Sequence, residues 1–168
     1  INRLELLYLV NSWGRNKEFS TNDYIDIPKC EAKGCYDLSK LDTSEITNMN
    51  YIFNNSLFNG DISKWNMSNV TNMSYMFYDT KEFNSNINDW DVSNVINMSA
   101  VFMNNKTFNQ QLDKWNTSNV TSMDSMFYNS IFNFIEEIVI NRAIFCCFQI
   151  LPFGLINILN LVVYIRPN

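Results

Sequence analysis

The sequence predicts an α/β solenoid of about four coils, each 24–25 residues long and built from a short parallel strand and helical turns. The first observation behind this is a repeated phrase, Trp65-Asn66-Met67-Ser68-Asn69-Val70-Thr71-Asn72-Met73-Ser74-Tyr75-Met76-Phe77. It returns 25 residues later at 90–102 and again at 115–127, with an earlier copy 24 residues upstream at 41–53. A fixed period in this range marks units that cannot bury their apolar faces alone and must stack. The second observation is spacing. Phe58, Ile62 and Trp65 lie four and three residues apart, as do Phe83, Ile87, Trp90 and Phe108, Leu112, Trp115. Met76 and Phe77 follow Met73 by three and four, and 98–102 and 123–127 repeat this. Both spacings place side chains on one face of a helical turn. The third is the run Ser68-Asn69-Val70-Thr71-Asn72, whose β-branched centre predicts a brief strand or a turn. Stacked coils would align these strands into a narrow parallel sheet over columns of Trp, Phe, Met and Val.

Taken in order, residues 1–36 do not repeat and read as an N-terminal cap over the first coil, with an amphipathic helix or strand at 3–13 and a strand at 23–27 stopped by Pro28. Cys30 and Cys35 flank a four-residue loop. They are read as a disulfide in an oxidising compartment, as free thiols, or as half of a four-thiolate zinc site completed by Cys146 and Cys147. Residues 37–133 form the repeat array. Its first copy carries Leu41 where the others carry Trp. Ser44, Ser68, Ser93 and Ser118 hold one column, and Asn69, Asn94 and Asn119 hold the next, with Glu45 in the first copy. A small hydroxyl or amide repeated at a turn satisfies backbone groups that would otherwise be stranded.

Residues 134–168 abandon the pattern, and the stretch 143–165 carries no charge. Three readings stay open: a transmembrane helix anchoring the chain, a buried C-terminal cap, or a frameshifted end. The opening residue, Ile1, points to a fragment or a partial reading frame.

Composition excludes more than it identifies. A formal charge of −5 supplies no basic stripe for phosphates, so no nucleic-acid partner is expected. The absence of histidine removes Ser-His-Asp, Cys-His and imidazole-ligand chemistry. None of the four glycines lies in a phosphate-cradling motif. Asp61, Asp89, Asp91 and Asp113 sit at turns, where Asp is ordinary. No enzyme activity and no cofactor are therefore expected.

The pattern Trp-Asp/Asn-x-Ser-Asn-Val-Thr-x-Met-x-x-Met-Phe, then Phe-Asn-x-x-Ile-x-x-Trp, resembles the repeat of BspA-like leucine-rich-repeat surface proteins and of a domain of unknown function in Mycoplasma surface lipoproteins. The resemblance covers 37–133. It implies a leucine-rich-repeat-like solenoid, displayed at the cell surface or secreted, non-enzymatic, and engaged in adhesion or protein binding. It brings no catalytic residues.

Within the chain, core columns recur while other positions change from copy to copy. The changing positions nominate a surface for a protein or glycan ligand: Tyr75, Tyr78, Asp79, Lys81, Glu82, Asn104, Lys106 and Asp124. The alternative is a spacer, or a remnant of a longer array, with no specific ligand.

Overall fold

Asn2 opens the chain as an N-cap. Its Oδ1 accepts from the backbone N–H of Leu4 at 2.9 Å and of Glu5 at 3.0 Å, and Glu5 Oε2 takes the Asn2 N–H at 2.9 Å. That reciprocal capping starts helix α1, Arg3–Ser12. The structure is a computed structural model and describes residues 1–12 and 37–131. Leu6, Leu9 and Val10 of α1 are buried in the same core as the repeats. Arg3 ties the helix to the first copy, donating from Nη2 to Asn50 O at 2.7 Å and to Asn50 Oδ1 at 2.6 Å.

Each copy is a run of β-turns. In the second, the N–H groups of Trp65, Val70, Met76, Tyr78 and Thr80 donate three residues back, to the carbonyls of Ile62, Met67, Met73, Tyr75 and Phe77. The same turns occur at 38–41, 43–46, 49–52, 51–54 and 53–56, and at 112–115, 117–120, 123–126, 125–128 and 127–130. The first of them is a 3-10 turn, Leu38–Lys40. Two turns in each copy hold their third residue at positive φ. Tyr51, Tyr75, Ala100 and Ser125 lie at 54–60°, and Asn55, Asp79, Asn104 and Asn129 at 51–59°. A type II turn requires such a residue and prefers Gly or Asn there. A side chain larger than Gly costs about 1–2 kcal/mol at that position, so the surrounding bonds must hold it.

Those bonds run between copies. The N–H groups of Met49, Tyr51, Phe53 and Asn55 donate to the carbonyls of Asn72, Ser74, Met76 and Tyr78 at 2.8–3.2 Å. Met73, Tyr75, Phe77 and Asp79 donate to Asn97, Ser99, Val101 and Met103, each at 2.9 Å. Met98, Ala100, Phe102 and Asn104 donate to Ser122, Asp124, Met126 and Tyr128, each at 2.8 Å. The copies are thus four rungs, residues 41–64, 65–89, 90–114 and 115–131, hydrogen-bonded in register.

The fold class expected from the sequence is corrected here. The described residues contain no strand and no sheet, so the α/β, leucine-rich-repeat-like solenoid of parallel strands and helical turns is not what forms. Parallel pairing is confined to isolated bridges, Asn48 with Asn72, Asn72 with Asn97, and Asn97 with Ser122. The helical elements of the described residues are α1 and the 3-10 turn alone. The physical reason is the positive φ at two sites per rung, which breaks both an α-helix and an extended strand.

The rungs enclose columns of rings. Phe53, Phe77, Phe102 and Phe127 stack with centroids 5.2, 5.5 and 5.5 Å apart and planes within 6°. Phe58, Phe83 and Phe108 form a second column at 6.3 and 5.9 Å. Trp65, Trp90 and Trp115 are buried, and each indole Nε1 donates back one rung, to the carbonyls of Leu38, Ile62 and Ile87 at 2.8–3.0 Å. A buried indole N–H needs such a partner. Met49, Met73, Met98 and Met123 fill another interior column.

Candidate functional site

Because the turns at 49–57, 73–82, 98–107 and 123–131 lie over one another, their equivalent residues form columns along one flank, exposed or half-buried except at Ala100. Tyr51, Tyr75, Ala100 and Ser125 are one column, and Asn54, Tyr78, Met103 and Tyr128 another. Asn55, Asp79, Asn104 and Asn129 make a third, and Leu57, Lys81, Lys106 and Ile131 a fourth. The eight residues nominated from the sequence all fall on these turn segments, so the fold brings them to one side.

Their chemistry differs along the stack. Tyr75 lies flat against Tyr51, rings 4.8 Å apart and 8° from parallel, and meets Tyr78 at 5.8 Å and 56°. Asp79 is ion-paired to Lys81. Asn104 donates from Nδ2 to the Tyr78 hydroxyl at 3.3 Å and accepts from Asn129 Nδ2 at 2.8 Å. Lys106 Nζ donates to Asn129 O at 2.5 Å and to Asn129 Oδ1 at 2.6 Å. Asp124 accepts from the Ser122 hydroxyl at 3.2 Å. Glu82 is exposed beside Lys81. Tyr51, which is 44% exposed, and Asn129 belong to the surface but were not nominated.

The polar columns inside the repeat act on backbone. Asn69, Asn94 and Asn119 each donate back one rung, to the carbonyls of Ser44, Ser68 and Ser93 at 2.7–2.8 Å. Ser44, Ser68, Ser93 and Ser118 donate their backbone N–H to Asp42, Asn66, Asp91 and Asn116. The serine contacts close turns, and the asparagine contacts tie each rung to the one before it.

Nor do the aspartates form an acid–base pair. Asp61 is held below its ordinary pKa by the backbone N–H and hydroxyl of Ser63, and Asp91 by the hydroxyl and backbone N–H of Ser93. Asp89 is lowered by its hydrogen bond and charge interaction with Lys114, 2.7 Å away. Asp113 accepts from Asn88 Nδ2 at 2.6 Å. A general acid at neutral pH needs the opposite shift. Among the described residues no group of three or more His, Cys, Asp or Glu could hold a metal ion. Cys30, Cys35, Cys146, Cys147 and the 143–165 stretch lie outside the described residues. Among those that are described, no helix is long and apolar enough to cross a membrane.

A family model described as "Mycoplasma protein of unknown function, DUF285" matches residues 27–138. No curated protein and no solved structure matches the chain.

Proposed function

We propose, for a chain that belongs to this family of Mycoplasma proteins of unknown function, a non-enzymatic binding module displayed at the cell surface, using the turn flank described above. The match does not extend to the BspA-like leucine-rich-repeat proteins. The observation that carries it is a division of labour between columns. Interior columns repeat Phe, Met and Trp from rung to rung, while the flank grades from Tyr51, Tyr75 and Tyr78 at one end to Asn104, Lys106 and Asn129 at the other. A spacer has no use for a graded row of aromatic, amide and cationic side chains along one flank. Rigid aromatics and amides on a fixed backbone lose little entropy on binding.

The test uses the full chain, wild type and a variant in which the second rung takes first-rung residues at the flank, Tyr78→Asn with Asp79→Asn. Adhesion to cultured epithelial cells and to a glycan array is measured for both, with Lys114→Gln, on another flank, as the control. Loss of adhesion in the flank variant alone supports the reading. Undiminished adhesion, or equal loss in the control, overturns it and leaves the spacer.

A further inference from the structure

We propose that the ligand of this flank is an acidic carbohydrate, its carboxylate received at Lys106; the inference rests on the flank being a binding surface. Lys106 begins a chain of hydrogen bonds that all point one way. Its ammonium donates to the carbonyl and side-chain oxygens of Asn129, Asn129 Nδ2 donates to Asn104 Oδ1, and Asn104 Nδ2 donates to the Tyr78 hydroxyl. Each link spends an acceptor and leaves a donor. Asn129 and Asn104 keep one amide hydrogen each, Tyr78 keeps its O–H, and Lys106 keeps one ammonium hydrogen. Bonds aligned behind a cation polarise one another, which strengthens the donors left over.

The surface is therefore rich in donors and seeks acceptors. Lys106 is exposed and has no carboxylate partner among the described residues, unlike Lys81 and Lys114. A charge balanced only by neutral oxygens can take an anion without first breaking an ion pair. At the other end of the line Tyr51, stacked on Tyr75 and 44% exposed, offers aromatic surface of the kind sugar C–H groups pack on. The rungs repeat every 5.2–5.5 Å along the Phe column, comparable to the advance per sugar of an extended glycan. A periodic polymer can thus meet successive columns in register. Exposed Glu82 and Asp124 flank the line and repel dense negative charge. A glycan that alternates uronate with neutral sugar fits better than a heavily sulfated one.

The experiment is calorimetric titration of the full chain with four probes: a hyaluronan hexasaccharide, a neutral N-acetylglucosamine hexamer, a heparin hexasaccharide and hexaglutamate. Hyaluronan is expected to bind best, and Lys106→Gln to weaken it about tenfold, as losing one charge-assisted hydrogen bond does. Lys114→Gln leaves affinity unchanged. Circular dichroism melts of both variants, expected to match wild type, separate lost contact from lost fold. Absence of hyaluronan binding, equal binding of the neutral hexamer, preference for heparin or hexaglutamate, or indifference to Lys106→Gln each overturns the proposal. If flank-dependent cell adhesion persists in that case, the binding surface stands and only its ligand class falls.

Discussion

Phe77 sits in the middle of the ring ladder, and Phe77→Ala tests whether that ladder holds the rungs together. The side chain has no exposed surface. It stacks on Phe53 at 5.2 Å and Phe102 at 5.5 Å along its column, on Phe83 at 4.1 Å, and meets Trp90 at 6.2 Å. Truncating a buried Phe to Ala costs about 3–5 kcal/mol, because the lost transfer energy is joined by a cavity that rigid neighbours cannot close. Here the neighbours are other rings pinned by rung-to-rung hydrogen bonds, so the upper half of that range applies. Set against the roughly 5–15 kcal/mol stability of an ordinary domain, the variant should lose about a quarter or more of its stability. The midpoint should fall by roughly 10–20 °C. Tyr51→Ala provides the comparison. Its stacking on Tyr75 is closer to ideal than some interior pairs, at 4.8 Å and 8°, yet the ring is 44% exposed. Its loss should cost about 1 kcal/mol, the ring-pair contribution with little burial behind it. Urea and thermal unfolding of the full chain read both. A Phe77→Ala cost no larger than that of Tyr51→Ala would refute the argument, because stacking geometry and not enclosure would then govern stability.

Three further outcomes follow from the same structure. Trp90→Phe keeps the ring but loses the indole bond to Ile62 O at 3.0 Å; that carbonyl retains the backbone N–H of Trp65 at 3.1 Å, so the cost should be only about 1–2 kcal/mol, read as a lower urea midpoint at unchanged slope. Ser125→Gly relieves a residue held at φ 57° and should stabilise the chain by about 0.5–1 kcal/mol, whereas Ser63→Gly, outside the positive-φ set, should destabilise it by a similar amount in the same thermal assay. Asp37, Asp42 and Asp91 are held below the usual carboxylate range mainly by the hydroxyl of the serine two residues on, and Asp61 mainly by the Ser63 backbone N–H. Since the folded values are the lower ones, their contribution is fully present above the unfolded value of about 3.9 and is lost as pH falls through the folded values. Replacing all four by Asn, as Asn66 and Asn116 already serve the other rungs, should flatten the midpoint between pH 5 and pH 2, roughly, relative to wild type.

The interior was legible in the sequence because burial leaves a chemical mark at every copy. Phe77, Met73 and Trp90 recur in place, and each is buried. What misled was the translation of spacing into element. Residues three and four apart share a face on a helix, but a β-turn also brings residue three back toward residue zero, so Met73, Met76 and Phe77 can face inward without any helix. The available correction was in the Asx column. Asn55, Asp79, Asn104 and Asn129 are the residue types that tolerate positive φ, at the third place of a turn. Tyr51, Tyr75, Ala100 and Ser125 carry the same backbone conformation with no such preference, so propensity could not reveal them. Only the inter-rung bonds do, since a lone Tyr or Ala gains nothing from the left-handed region. The flank follows from this. Positive φ at two sites per rung sets those residues beside one another along one flank, where all but Ala100 keep some exposed surface and variable residues collect.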